Sequence, residues 1–232
     1  MLNVEKKVLL LIGSPKPANS TSESLGKYLI AQLPKYYESK TFYLWKAIRS
    51  DKELENLLNE VDFAELLVWS LPLYVDSLPY PVIKTMELLL DNSNKIVFRG
   101  KKMMAMINSG FPEAHQSKYA LEMCREFAVE SGFEWIGGLA RGGGMSVNGR
   151  PLEECPGRMV GDIMEALKLT TSAVVNGNRI PDKAVSLMSE PPMPKVVQRF
   201  PLIIWFGNWM WKNMAKKGAN LRDKPYMRNS FD

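Results

Sequence analysis

The chain has 232 residues, 46% of them apolar and 24% charged, with a net charge of +5. That balance supplies a large buried core and excludes wholesale disorder, and the mild positive charge comes without the Lys/Arg block that argues for nucleic acid. Two cysteines, Cys124 and Cys155, stand too far apart for a local metal motif, and a lone histidine, His115, excludes a histidine-rich metal site.

The first residues lead through Glu5, Lys6 and Lys7 straight into a strand-like run, without the apolar core of a secretory leader. No run reaches the roughly 18 apolar residues of a membrane span. The longest hydrophobic candidate, 200–211, is short and interrupted by Gly207 and Asn208. The expectation is a cytoplasmic protein in which Cys124, among apolar residues on a helical segment, is a buried reduced thiol.

Residues 7–12 contain VLLLI, continuous and branched, as in a strand covered on both faces. A polar loop over 13–22, GSPKPANSTS, follows. Leu25, Tyr28, Leu29, Ala31 and Leu33 then keep helical spacing until Pro34. Residues 41–45 predict a second strand. Segment 51–60 starts on an Asp N-cap candidate and carries Leu54, Leu57 and Leu58 on one face of a helix. A third, fully apolar strand over 64–71 runs into the loop PLYVDSLPYP and a helix over 82–90. The strand at 102–108, KMMAMIN, runs into SGFPEAH, and the helix over 116–131 closes on Gly132. A strand over 133–139 and a long helix over 152–169 complete the alternation.

Strands alternating with helices predict an α/β fold with a doubly wound parallel sheet, and five strands suit the flavodoxin-like order better than the six-stranded dinucleotide fold. The reading places one domain at 1–189 and a helical C-terminal extension at 190–232, joined by the linker EPPMPK. The extension carries Trp205, Trp209 and Trp211. Such a segment packs back on its domain or on a partner subunit, or lies peripherally on a membrane surface.

Ligands of open α/β sheets bind beyond the carboxyl ends of the strands, so the loops after the first, third and fourth strands are the candidates. In the first, Gly13 permits a tight turn, Ser14, Ser20, Thr21 and Ser22 offer hydroxyls, and Lys16 offers charge. The helix that follows adds free N–H groups and a positive dipole end, which together suit a phosphate. It is neither a P-loop nor G-x-G-x-x-G. In the second, Pro72, Leu73, Tyr74 and Val75 place apolar side chains where solvent selects polar ones, as a planar apolar ligand would require. The alternative is a loop buried by the C-terminal extension. The third, Asn108, Ser109 and Gly110, offers an amide, a hydroxyl and close backbone approach. Glycine clusters at 137–138 and 142–144 flank Arg141 and read either as a flexible loop over the site or as a plain turn. His115 reads as a solvated residue at a helix start.

Ser14-Pro15-Lys16 followed by Ser20-Thr21-Ser22 resembles the GSPR…S-x-S/T phosphate loop of the flavodoxin-like NAD(P)H-dependent FMN reductases. Pro72-Leu73-Tyr74, with Leu78-Pro79 and Lys84, is similar to that family's second flavin loop, and Asn108-Ser109-Gly110 matches the third in position. The resemblance covers about residues 5–170. It implies an FMN cofactor, NAD(P)H as electron donor, a homodimer, and no catalytic side chain or metal. By carry-over, Ser14, Lys16, Ser20, Thr21 and Ser22 hold the phosphate. Pro72, Leu73, Tyr74 and Val75, with Asn108, Ser109 and Gly110, border the ribityl chain and isoalloxazine. Lys16 replaces the usual Arg, keeping charge without bidentate geometry, and Asp76 stands where many members have Gly. The implied activity is hydride transfer to a small acceptor such as a quinone, a flavin or a nitro/azo compound. An electron carrier, or an FMN-binding module without nicotinamide activity, is the alternative.

Overall fold

Branched apolar runs form strands that only a two-sided cover satisfies, and this chain builds its sheet from them. The computed structural model describes residues 6–191 except Pro17 and Lys95, together with Lys212. Five strands, β1 (Lys6–Ile12), β2 (Tyr37–Tyr43), β3 (Leu66–Pro72), β4 (Lys102–Asn108) and β5 (Glu134–Arg141), make one sheet in the order β2-β1-β3-β4-β5. All four pairings are parallel. This is the flavodoxin-like α/β fold, with the order reversing at β1.

Alternate residues along the strands feed two separate cores. Leu9, Leu11, Leu67, Trp69, Leu71, Met103 and Ile107 face α3 (Asp51–Phe63), α4 (Tyr80–Asp91) and α5 (Lys118–Ser131). Val8, Leu10, Ile12, Val68, Met104 and Met106 face α1 (Thr21–Ala31), α6 (Gly157–Val175) and α7 (Asp182–Ser189). A one-turn helix, α2 (Leu44–Ala47), follows β2. Every residue of the central strand β3 is buried, and Trp69 meets the Phe127 ring edge-on at 5.8 Å. Gly132 ends α5 in the left-handed conformation expected of it, with φ 89°. Cys124 and Cys155 are both buried and unpaired, and burial pushes the Cys124 thiol up to about 12.

Several expected elements differ from those observed. The second strand runs over Tyr37–Tyr43 rather than 41–45, and Trp45 lies in the α2 turn. This strand is the sheet edge, and exposed Glu38, Ser39 and Lys40 conceal its first half from a search for apolar runs. The helix expected at 152–169 is a 3-10 turn at Leu152–Glu154 followed by α6, because Pro156 interrupts the backbone ladder. Residues Ala114–Ser117 form a 3-10 turn ahead of α5. Helix α7, entered from Pro181, is a short element that periodicity did not reveal.

The chain divides into two units, Met1–Pro192 and Met193–Asp232. Trp205, Trp209 and Trp211 lie outside the described residues. No helix among those described is long and apolar enough to cross a membrane.

Trp69→Ala empties the largest fully buried side chain from the central strand. It is expected to cost about 3–5 kcal/mol, read by urea unfolding of the variant beside the wild type.

Candidate functional site

The reversal of strand order at β1 opens a crevice beyond the carboxyl ends of β1 and β3. A cleft of about 210 Å³ occupies it, and every candidate residue except Val75 lines it. The loops after β1, β3 and β4 therefore meet as expected, and Asn19, Gly144, Met145 and Asn148 join them.

The start of α1 organises the first loop. Ser20 is the N-cap, and its Oγ accepts the Glu23 N–H at 3.1 Å. Three residues on, the Glu23 carboxylate returns to accept the N–H of Asn19 at 2.8 Å, a capping box displaced by one residue. Asn19 sits in the left-handed region with φ 55°, a conformation that Asn tolerates better than most residues. The Lys16 ammonium donates to the Asn19 carbonyl at 2.6 Å.

The other hydroxyls tie loops together. Thr21 Oγ1 donates to Gly144 O at 3.0 Å. Ser22 Oγ accepts from Asn108 Nδ2 at 2.7 Å, and the same amide donates to Leu71 O at 2.9 Å. Ser70 Oγ donates to Ser22 O at 2.6 Å. Ser14 Oγ accepts the Lys16 N–H at 3.3 Å. The N–H groups of Thr21 and Ser22, in the first turn of α1, find no acceptor among the described residues. These amides, with the positive end of the helix dipole, make the loop an anion-binding end.

Glu23 is nearly buried beside this end. Burial pushes its carboxyl up, but the Lys27 ammonium, the Tyr43 hydroxyl and the Asn19 N–H outweigh burial and hold it below its ordinary value. Lys27 and Tyr43 each reach Oε1 at 2.6 Å.

In the second loop, Tyr74 and Ser77 exchange backbone hydrogen bonds across a tight turn. Val75 and Asp76 form its tip, with φ 48° and 59°. Val75 is thereby carried away from the cleft and is 98% exposed. Asp76 occupies a left-handed position that glycine adopts freely, which accounts physically for a Gly/Asp exchange there. Leu73 and Leu78 are buried beneath the turn, while Tyr74 stays half-exposed over the cleft. Lys84 pairs with Glu87 at 3.2 Å on α4.

The third loop is bonded to both neighbours: Asn108 O accepts from Leu73 N at 2.8 Å, and Ser109 N donates to Arg141 O at 2.9 Å. Gly110 faces open space. The fourth wall is the loop from β5 to α6, whose Gly144 N–H donates to Ser109 O at 2.8 Å. A Cβ at Gly142 would overlap the Pro112 carbonyl, and one at Gly149 would overlap the Asn19 carbonyl. The glycine cluster is thus a site wall. Its signal was present in the sequence, but Met145 and Asn148 carry no pattern of their own. Arg141 itself is buried below the cleft, its guanidinium donating to Glu190 O and Met159 O, and burial lowers its pKa to about 10. His115 is exposed in a 3-10 turn.

No protein-family model matches the chain, and no curated protein matches it. Solved structures share its fold. An NADH:FMN oxidoreductase (EMOB) in its apo form aligns with a TM-score of 0.55 at 14% identity, over 84% of this chain and 100% of the other. An FMN-dependent NADH-azoreductase from Bacillus anthracis str. Ames Ancestor, in complex with FMN, gives 0.53 at 13% identity over 73% and 99%. An NAD(P)H:quinone oxidoreductase from Methanothermobacter marburgensis gives 0.51 at 13% identity over 72% and 95%. At these identities the likeness is one of fold.

Two outcomes test the local network. Asn108→Ala removes the amide's bonds to Leu71 O and Ser22 Oγ, leaves the buried Ser22 hydroxyl without that partner, and is expected to cost about 1–3 kcal/mol in chemical denaturation. Because the folded Glu23 pKa lies below its ordinary 4.5, its contribution is complete above that pH and is lost as pH falls through the folded value. Acid unfolding of Glu23→Gln should therefore show a shallower loss of stability below about pH 4.5 than the wild type.

Proposed function

We propose that the chain is an FMN-dependent NAD(P)H oxidoreductase that reduces a small acceptor, such as a quinone, a flavin or a nitro/azo compound. The observation carrying this reading is the convergence of three loops, one rich in donors and one apolar, on a single cleft at the topological switch point.

The residues present fit the cofactor. The N–H groups of Thr21 and Ser22 and the hydroxyl of Ser20 are the donors for a phosphate at the α1 end, with Ser14 and Lys16 on its flank. Leu73 and Tyr74 supply an apolar face, and open Gly110 lets backbone approach a ring edge. Met145, 58% exposed and lining the cleft, extends that apolar face. The cleft, about 210 Å³ in volume, is where these residues would hold the phosphate and polyol.

When bound, FMN supplies the hydride-accepting and electron-donating chemistry. The chain's own cleft residues hold and orient it. The same reading takes the protein as a cytoplasmic homodimer, with 1–189 as the flavin domain and 190–232 as its extension.

Purified protein is expected to carry or take up FMN with a yellow flavin spectrum. Anaerobic NADH or NADPH should then bleach it without any partner reductase. A protein that binds no FMN contradicts the proposal, and a flavin bleached only by a partner enzyme makes the chain an electron carrier.

A further inference from the structure

Asn19 is held from three directions. Its N–H is taken by the buried Glu23 carboxylate at 2.8 Å, and its carbonyl accepts the Lys16 ammonium at 2.6 Å. Against that same carbonyl lies Gly149, at φ 76°, so closely that no side chain fits between them. Each contact comes from a different place: the first turn of α1, the loop itself, and the β5–α6 wall. Glu23 is in turn fixed by Lys27 from its own helix and Tyr43 from the end of β2.

The consequence is directional. In an ordinary capping box the glutamate takes the N–H of the N-cap residue, which here is Ser20. By taking Asn19 instead, Glu23 leaves the Ser20 N–H without an acceptor among the described residues. The residue it holds, Asn19 at φ 55°, is the left-handed bend that precedes Ser20, Thr21 and Ser22, all of which line the cleft. Ser20, extended at φ -92° and ψ 153°, leads from that bend into the free first-turn amides of α1, an anion-binding helix end.

We infer that Glu23 and Gly149 are positioning residues for the anion end of the cleft, clamping Asn19 so that the amides of residues 20–22 converge on a phosphate. This rests on the FMN reading of the site. Neither residue touches the ligand: Glu23 repels an anion by charge and acts only through the backbone it fixes. Glu23→Ala frees the Asn19 N–H, and Gly149→Ala pushes the Asn19 carbonyl from the opposite side without altering any charge.

The test compares binding of FMN and of riboflavin, which lacks the phosphate, by flavin fluorescence titration of the full chain and both variants. Loss of hydrogen bonds to a charged group should weaken FMN by about tenfold or more in each variant, while riboflavin affinity stays within about twofold of wild type. A general loss of structure would weaken both ligands together and would overturn the assignment. Variants that keep the wild-type preference for FMN over riboflavin would overturn it as well, leaving the FMN reading intact. Wild-type protein that binds the two flavins equally, or binds neither, would overturn the phosphate end itself and this inference with it. If Glu23→Ala does not fold, Gly149→Ala decides the matter.

Discussion

A parallel sheet buried on both faces sets the terms for everything else in this molecule. Its strands run in one direction, so each pair requires a helical crossover, and each crossover returns the chain to the same edge. The carboxyl ends of β1, β3, β4 and β5 and the positive end of α1 are thereby gathered together. No loop residue chooses this neighbourhood. The hydrophobic demand of runs such as VLLLI and LLVWSL does, by leaving the chain no other way to hide both faces.

Once gathered, the loops are fixed by polar bonds that cross large sequence separations. Asn108 joins β4 to β3 and to α1 through one amide, and Ser70 adds a second tie to the same turn of α1. These groups are buried, so their bonds are obligatory: an unmet partner costs more than the bond contributes. Glycines serve the same end by absence. At 142 and 149 the chain passes so close to a neighbouring carbonyl that only hydrogen fits, and the β5–α6 loop becomes a wall instead of an excursion into solvent. The cap of α1 contributes about 1 kcal/mol locally. Its larger effect is geometric, since it decides which amides are used and which remain open.

The fold hosts several redox activities, as the apo oxidoreductase and the FMN-bound azoreductase of similar fold illustrate. A fold of this kind supports many chemistries, and the residues of the cleft decide among them. Two departures noted in the sequence acquire a physical meaning here. Asp76, where the resembled loop often has glycine, sits in a turn that demands a positive φ, and Asp is among the residues that bear it. Lys16, where the resembled phosphate loop carries arginine, makes a single-point contact to the Asn19 carbonyl, a task that does not require a forked guanidinium.

Strand identity, helix alternation and the three candidate loops were legible in the sequence because each rests on a local signal: an unbroken apolar run, a 3.6-residue spacing, a cluster of hydroxyls. Local signals failed at β2, whose edge position lets charged residues enter the strand, and at Val75, whose direction depends on a turn formed by its neighbours. They also failed at Asn148, which belongs to the β5–α6 loop and reaches the cleft only once the sheet has brought that loop to the first. By itself the sequence determined that a doubly wound sheet must form and that donor-rich and apolar loops end its strands. Only the tertiary structure decided which hydroxyls are spent on holding those loops together, and which amides are left for a ligand. Hydrogen bonds between residues about a hundred positions apart, such as Thr21 to Gly144, exist only after the sheet has brought them within 3.0 Å.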